Sequence, residues 1–200
     1  MFTMDRNLSV RLTITILLML LSLPLLAATQ EIDPQLREAL KQAFAESSSF
    51  EDRFAAEVWL TDMSGRTRRY VSNDLERIEI LRTVHAEARR VELPASLLLG
   101  VIHTESRFNR FAVSVVGAQG LMQVMPFWKD EIGRPGDNLT ELTTNLSYGC
   151  RILQFYLEQE KGRLSTALAR YNGSAGSTRY SDKVERAWRN NWRLEPLDWR

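Results

Sequence analysis

A single glutamate, Glu105, stands where a carboxyl group is unusual. It follows the apolar residues 97–102, which are predicted to form a mostly buried helix that begins at Pro94. At the C-terminal end of a buried helix, the helix dipole and desolvation both disfavour an ionised carboxyl group. A carboxylic acid that stays protonated near neutral pH is what general acid catalysis requires. Glu105 is therefore the candidate catalytic acid, and the alternative is an exposed residue paired with Arg107 or Arg110.

No second carboxylate is close to Glu105 in the sequence. Residues 106–129 contain neither Asp nor Glu, and the nearest candidates, Asp130 and Glu131, fall on a predicted surface helix. A glycosidase that uses two carboxylates needs the second one across the bond that it cleaves. The sequence thus favours a reaction with one catalytic acid, in which the substrate supplies its own nucleophile.

The segment after Glu105 has the composition of a loop that contacts a ligand. Residues 117–126 combine two glycines, two amides and two thioethers. Glycine lets a backbone approach a ligand closely, and methionine makes adaptable contacts. The amide of Gln123 can both donate and accept hydrogen bonds. Leu121, Met122 and Val124 are instead expected to pack in the core.

The elements that must position these residues are predicted to be helices. Period-3.6 apolar patterns and cap residues recur, and no alternating apolar run competes with them, so an all-α fold is predicted. The first predicted helix begins at Asp33-Pro34, and the second covers 51–60 with Phe54 and Val58 inward. The third begins at Asn73 or Asp74, and its inward residues are Leu75, Ile78, Leu81, Val84 and Ala88. The remaining helices begin at Pro94, run from Pro126 to Gly133, run from about 143 to 161 with Gly162 as cap, and cover 163–171 and 181–191. Residues 106–126 are predicted to be a loop region, and Ser64-Gly65 is expected to end the second helix.

Composition excludes several classes of function. The formal net charge of +1 argues against a nucleic-acid binder. One cysteine and two histidines leave no disulfide framework and no credible metal site, and no phosphate-binding loop is present, so no metal and no cofactor are expected. His103 should point away from Glu105, Cys150 should be buried, and the tryptophans near the C-terminus should pack on their own domain, with sugar stacking as the alternative.

The first residues have the pattern of an export signal. Arg6 and Arg11 precede the uncharged segment 12–30, which is apolar and ends in Ala27-Ala28. That pattern is typical of a secretory signal peptide. The alternative is an uncleaved membrane anchor, which Pro24 and several polar residues disfavour. We therefore expect a periplasmic protein, exported by its N-terminal signal and membrane-anchored if the signal is not cleaved.

Several separated motifs occur in a recognisable order. They are Glu105-Ser106-x-Phe108-Asn109, Ala112-x-Ser114, the sequence Gly-Ala-x-Gly-Leu-Met-Gln-Val-Met-Pro over 117–126, and Ala169-Arg170-Tyr171-Asn172. Together they resemble the SLT-type (family 1) lytic transglycosylases of peptidoglycan over roughly residues 78–190. The sequence departs from the family pattern at three places, none of which involves the acid. They are Asn109-Arg110, Tyr171-Asn172-Gly173-Ser174, and Gly149-Cys-Arg-Ile152-Leu153, where the family commonly has Gly-x-x-Tyr-Leu.

The resemblance implies a fold, an activity and a set of site residues. The fold would be a lysozyme-like α domain. The activity would be cleavage of the β-1,4 bond between N-acetylmuramic acid and N-acetylglucosamine, with formation of a 1,6-anhydromuramyl end. By resemblance, Glu105 matches the catalytic acid and base, and Ser114 the residue that hydrogen-bonds near it. Further substrate-binding residues would be Ser106, Gln123, Met125, Tyr171 and Asn172.

These expectations imply domain boundaries and binding partners for the chain. The predicted divisions are a signal peptide at 1–28, a helical accessory segment at 29–73, the SLT domain at 74–192 and a C-terminal tail at 193–200. The partner would be the glycan strands of peptidoglycan, bound by a monomer, without nucleic acid. Two rivals remain: a lysozyme-like hydrolase with an unrecognised second carboxylate, and a non-catalytic glycan-binding or scaffold protein of the envelope.

Overall fold

The computed structural model describes residues 52–194, together with Glu38 and Ser49. All of them fall in one compact unit, Pro34–Arg200. The helices of the described residues are α1 (Arg53–Thr67), α2 (Asp74–Arg90), α3 (Ala95–Glu105), α4 (Trp128–Ile132), α5 (Leu142–Gln159), α6 (Leu164–Tyr171), α7 (Arg179–Ala187) and a π-helical turn (Trp188–Trp192). The described part of the chain has no strand beyond isolated bridges in the loop after α3. The predicted all-α fold is therefore confirmed there.

Side chains that cap the backbone decide where the helices begin. Asn73 accepts a hydrogen bond from the backbone N–H of Glu76 at 2.9 Å, which confirms the predicted start of α2. The carboxylate of Glu141 caps α5 by accepting hydrogen bonds from the backbone N–H groups of Thr143 and Thr144. At the other end of α5, the N–H of Gly162 returns to the carbonyl of Leu157 at 2.8 Å. Gly162 has a φ of 79°, a conformation that favours glycine, so it terminates this helix as predicted.

The apolar helix α3 lies at the centre of the fold. Every residue from Ala95 to Ile102 is buried, as the sequence predicts. The helix packs against α2, α7 and the π-helical turn. A Cβ at Gly100 would lie only 2.9 Å from the Cβ of Trp188, so glycine is what allows this close approach. The indole of Trp188 also donates to the Ser96 hydroxyl at 2.9 Å, so this tryptophan packs on its own domain, as predicted.

Two parts of the predicted packing are wrong. Phe54, Val58 and Leu75 were expected to face inward, but they are 74%, 52% and 50% exposed. The buried face of α1 instead contains Leu60 and Met63. The face of a short amphipathic helix that becomes buried depends on which face the neighbouring helix covers. In α1, helix α2 covers the face that contains Leu60.

Helix α1 is also longer than predicted. It continues through Ser64-Gly65 to Thr67. The hydroxyl of Ser64 accepts a hydrogen bond from Arg77 Nε at 3.0 Å, in the buried contact between α1 and α2. Ser64 therefore contributes to the packing of α1 on α2 and does not end the helix. Gly65 is tolerated within the helix, because a helical glycine costs only about 1 kcal/mol of stability relative to alanine.

Several predicted segments lie outside the described residues. These are the signal segment 1–28, the helix predicted from Asp33-Pro34 and most of the tail 193–200. The domain boundary at 73/74 stays a prediction, although Leu60 and Met63 belong to the same buried cluster as residues of α2 and α3. Among the described helices, none combines the length and apolar character that a membrane crossing requires.

Candidate active site

Glu105 is the last residue of α3 and is half-buried. The Tyr180 hydroxyl of α7 donates a hydrogen bond to its Oε1 at 2.5 Å. Burial raises the pKa of Glu105 to about 7, while the bond from Tyr180 and the positive charge of Lys183 act in the opposite direction. The protonated form expected from the sequence is therefore substantially populated near neutral pH. The alternative, an ion pair with Arg107 or Arg110, is not found among the described residues, and Arg110 instead contacts Glu79 at 3.7 Å.

Two phenol rings lie close to this carboxyl group. The negative charge of Glu105 contributes to raising the pKa of both Tyr171 and Tyr180 well above its usual value, after the larger effect of burial. Both therefore stay neutral hydrogen-bond donors. The Tyr171 hydroxyl donates to the backbone carbonyl of Met122 at 2.7 Å, which ties the end of α6 to the loop after α3.

The sequence reasoning missed Tyr180, although a signal was present. Tyr180 precedes Val184 and Trp188 by one and two helical turns, and both of these are buried. That stripe predicts an inward direction for Tyr180. The helix was predicted to begin at 181, two residues too late, because α7 begins at Arg179.

The loop after α3 is held by a buried asparagine of α5. The Asn145 side chain is 1% exposed, and its Oδ1 accepts from the backbone N–H of Met122 at 2.8 Å. Its Nδ2 donates to the carbonyls of Gln119 and Leu139, each at 2.8 Å. Gly120, at a φ of 75°, leaves the space that this amide fills, because a Cβ there would lie 2.3 Å from Nδ2. Asn145 was not among the residues predicted from the sequence.

Two of the predicted substrate-binding residues hydrogen-bond within the loop. The Ser114 hydroxyl accepts from the N–H of Ala118 at 3.0 Å. The Gln123 amide donates to the carbonyls of Ala112 and Gly120 at 3.2 and 2.9 Å, and Gln123 itself has a φ of 49°. In the structure these side chains therefore order the loop beside Glu105.

The other predicted site residues are distributed around the end of α3 and of α6. The Ser106 hydroxyl donates to the carbonyl of Ile102 at 3.2 Å and caps α3. Met125 is half-buried after the loop, and Asn172 is exposed at the end of α6. Among the predicted residues, Tyr171 has a pKa that burial raises most and that the negative charge of Glu105 raises further.

His103 is a packed residue, as predicted. An indole N–H is only a donor, so His103 Nδ1 accepts from Trp192 Nε1 at 3.2 Å. The ring proton of the neutral form then lies on Nε2, 3.1 Å from the Tyr70 hydroxyl. Cys150 is fully buried, also as predicted, and burial raises the pKa of its thiol.

Replacing Tyr180 with phenylalanine should shift the pH dependence of catalysis. The bond from Tyr180 stabilises the ionised form of Glu105, so its removal raises the pKa of Glu105 further above 7. A general acid works only while protonated, so the alkaline limb of the kcat/KM profile should move to higher pH. The measurement is kcat/KM from pH 5 to 9 on peptidoglycan, the substrate that the family resemblance implies. A limb that stays in place or moves to lower pH would contradict this role for Tyr180.

The chain is similar to known transglycosylases. The family model of the transglycosylase SLT domain matches residues 82–192. A transglycosylase of Enterobacteria phage PRD1 is 33% identical over 103 residues, which are 52% of this chain and 38% of the phage protein. The membrane-bound lytic murein transglycosylase C of Salmonella paratyphi B is 32% identical over 134 residues, which cover 58% of this chain and 37% of that protein.

A solved structure was also found, the 70-kDa soluble lytic transglycosylase from Escherichia coli, with a TM-score of 0.41 and 21% identity. The match covers 76% of this chain and 30% of that one. The chain thus spans well under half the length of each of these relatives. The family match covers more than half of the chain and contains Glu105, the loop after α3, Tyr171 and Tyr180. The chain therefore belongs to the transglycosylase SLT domain family.

Proposed function

We propose that the chain is a lytic transglycosylase that cleaves the β-1,4 bond between N-acetylmuramic acid and N-acetylglucosamine and leaves a 1,6-anhydromuramyl end. The observation that carries the proposal is the state of Glu105. Its carboxyl has a pKa of about 7 and is held by Tyr180, and a group with this pKa can give up a proton and take it back near neutral pH. The family membership supports the substrate class.

Glu105 would act twice in one turnover. As an acid it protonates the glycosidic oxygen while the bond to C1 of muramic acid breaks and an oxocarbenium-like state develops, which the N-acetyl group of the substrate can assist. As a carboxylate it then removes the proton of the C6 hydroxyl, and O6 bonds to C1. The proton count balances, because Glu105 ends protonated and no water is consumed.

Attack by the C6 hydroxyl is favoured by what surrounds Glu105. The charge that acts on it is Lys183, a cation, so the carboxylate formed after the first step gains stabilisation. The earlier candidates for a second acid, Asp130 and Glu131, are exposed on α4, and Glu131 lines a groove with Trp128 and Phe155. A tethered hydroxyl has an effective concentration far above that of a diffusing nucleophile, and this advantage is worth several kcal/mol of the barrier.

Mass analysis of products tests the proposal. Purified sacculi are digested with the chain, and muropeptides are measured without prior reduction. We expect 1,6-anhydro ends, which are lighter by one water than reducing ends. A majority of reducing muramic acid ends would show a lysozyme-like hydrolase, and an absence of any cleavage product would leave a glycan-binding or scaffold protein.

We also expect chelators to leave the activity unchanged. The chemistry proposed for Glu105 needs only proton transfer and a nucleophile from the substrate, so no metal takes part. The measurement is the rate of sacculus digestion in EDTA, before and after addition of zinc or calcium. A rate that falls in EDTA and recovers with either ion would contradict the single-acid mechanism.

The proposed place of action is the cell envelope. Peptidoglycan is reached only after export, which the N-terminal segment 12–30 is predicted to direct. Relatives such as the transglycosylase C of Salmonella paratyphi B are named as membrane-bound. Fractionation of cells that produce the full chain, with and without high salt or detergent, would distinguish a released from an anchored protein.

A further inference from the structure

The turn that follows Glu105 has an unusual backbone. Arg107 and Phe108 have φ values of 51° and 68°, in the left-handed region that side chains other than glycine rarely adopt. The N–H of Asn109 donates to the carbonyl of Ser106 at 3.1 Å and closes the turn. Bulky residues keep such a conformation only where the surrounding structure holds them in it. The contacts of Phe108 therefore help to fix the end of α3, where Glu105 lies.

Phe108 packs in a cluster of four rings, which we call the aromatic cluster: Tyr70, His103, Phe108 and Trp192. The side chain of Phe108 is 2% exposed, and Trp192 is fully buried. The Phe108 ring stacks on Tyr70 with centroids 5.3 Å apart and an angle of 27°, and its centroid lies 5.2 Å from that of Trp192. The hydroxyl of Tyr70 lies 3.1 Å from Nε2 of His103. Tyr70 thus contacts residues on both sides of Glu105 in the sequence.

Tyr70 is itself held from several directions. The guanidinium groups of Arg69 and Arg107 lie over its ring, 4.9 and 5.8 Å from the centroid. Just before it, Arg66 and Arg69 bind the π-helical turn. Arg66 donates to the backbone carbonyl of Asn191 and Arg69 to its side-chain oxygen, each at 2.9 Å. The position of the Tyr70 ring is therefore fixed by the end of α1 and by the end of the domain.

Tyr70 lies outside the part of the chain that matches the family model, which begins at residue 82. It follows α1, whereas Trp192 is the last residue of the matched region. The segment that precedes the family match therefore contributes a ring to the packing around the turn after Glu105.

We propose that Tyr70 is a positioning residue for catalysis, which acts on Glu105 through Phe108 and His103. The proposal rests on the proposed function. The stacked ring holds the turn in its strained conformation, and the turn holds the end of α3 at the distance from α7 that the bond between Tyr180 and Glu105 requires. Without the ring, the turn can relax and the carboxyl group moves. A displacement of about 1 Å from the productive geometry can lower a catalytic rate by about 10²-fold.

The kinetic test uses two variants of Tyr70 on soluble glycan strands. Tyr70→Leu keeps an apolar side chain and removes the ring, and we expect it to lower kcat about ten- to a hundredfold. KM should change by less than about twofold, because Asn145 holds the loop that carries Gln123 independently of Tyr70. Tyr70→Phe keeps the stacked ring and should retain most of the wild-type kcat.

The matched control is Leu60→Ala in the preceding helix. Leu60 is fully buried and lies ten residues before Tyr70, so its truncation leaves a cavity in the core without removing a ring from the aromatic cluster. We expect this variant to lower the melting temperature at least as much as Tyr70→Leu does and to leave kcat unchanged.

Hydrogen exchange separates this inference from the proposed activity, because it needs no turnover. The amides of Ser106 and Asn109 donate the hydrogen bonds that end α3 and close the turn. In Tyr70→Leu, we expect both to exchange about tenfold faster or more, relative to amides in the middle of α3. In Tyr70→Phe and Leu60→Ala, this ratio should stay at its wild-type value.

Four results would overturn the inference. A wild-type kcat in Tyr70→Leu would show that Glu105 does not depend on the ring. An equal loss of kcat in Leu60→Ala would show a general effect of stability, and an equal loss in Tyr70→Phe would show that stacking is not what positions the acid. Unchanged exchange at Ser106 and Asn109 in Tyr70→Leu would show that the ring does not hold the turn, whichever reaction the chain catalyses.

Discussion

Replacing Glu105 with glutamine should lower the rate of glycan cleavage by about 10²–10⁴-fold or more. Glutamine has nearly the same shape and can still accept the hydrogen bond from Tyr180, but it cannot deliver a proton to the glycosidic oxygen. The loss should exceed that of an ordinary general acid, because the same group is proposed to act as base in the second step. The measurement is release of soluble muropeptides from purified sacculi.

The matched control is Glu131→Gln. Glu131 was a candidate for a second catalytic carboxylate, and it is exposed on α4. We expect this variant to keep the full rate. A loss comparable to that of Glu105→Gln would instead favour the two-carboxylate hydrolase, and a Glu105→Gln variant with near-native turnover would show that Glu105 is not the acid.

The folding of Glu105→Gln can be checked through the pH dependence of its stability. Glu105 has a pKa of about 7 in the folded chain against an ordinary value of 4.5. The protonated carboxyl therefore favours the folded state fully below pH 4.5, and this contribution is lost as the pH rises through 7. The glutamine side chain does not titrate, so the stability of this variant has no such pH-dependent decrease. Between pH 4.5 and 8, its free energy of unfolding should rise relative to wild type by up to about 3 kcal/mol.

Replacing Asn145 with alanine should destabilise the domain by about 3 to 5 kcal/mol. The buried side chain makes hydrogen bonds with the N–H of Met122 and the carbonyls of Gln119 and Leu139. Alanine leaves these groups without their partner, and each unsatisfied buried group costs about 1–3 kcal/mol. The free energy of unfolding in urea gives the size of the effect.

Activity should fall with stability in the Asn145 variant, even where the chain is folded. Asn145 holds the loop whose Met122 carbonyl accepts the bond from Tyr171, so Tyr171 loses the support that positions it. The matched control is Asn190→Ala, an exposed asparagine, which should change stability by less than about 0.5 kcal/mol. A destabilisation of Asn145→Ala as small as that of the control would contradict its role in holding the loop.

Local sequence patterns predicted the helical elements and the position of Glu105 at the end of a buried helix. Pro94 and the apolar run before Glu105 indicate a buried helix, and the capping residue Asn73 and the glycine at 162 mark ends that the structure confirms. Such signals work because capping and burial depend on residues a few positions apart. They failed for Phe54 and Val58, since which stripe of α1 is covered depends on α2.

What the sequence by itself determined was the family, the all-α fold and a carboxyl group at the end of a buried helix. Only the tertiary structure decided what surrounds that carboxyl. Tyr180 and Lys183 reach it from α7, more than seventy residues along the chain, and Asn145 supports the neighbouring loop from α5. Contacts of this kind form when separate helices pack. The apolar periodicity and the caps of one helix do not predict which residue of another helix will contact it. The pKa of Glu105, and with it the chemistry, is set by that packing.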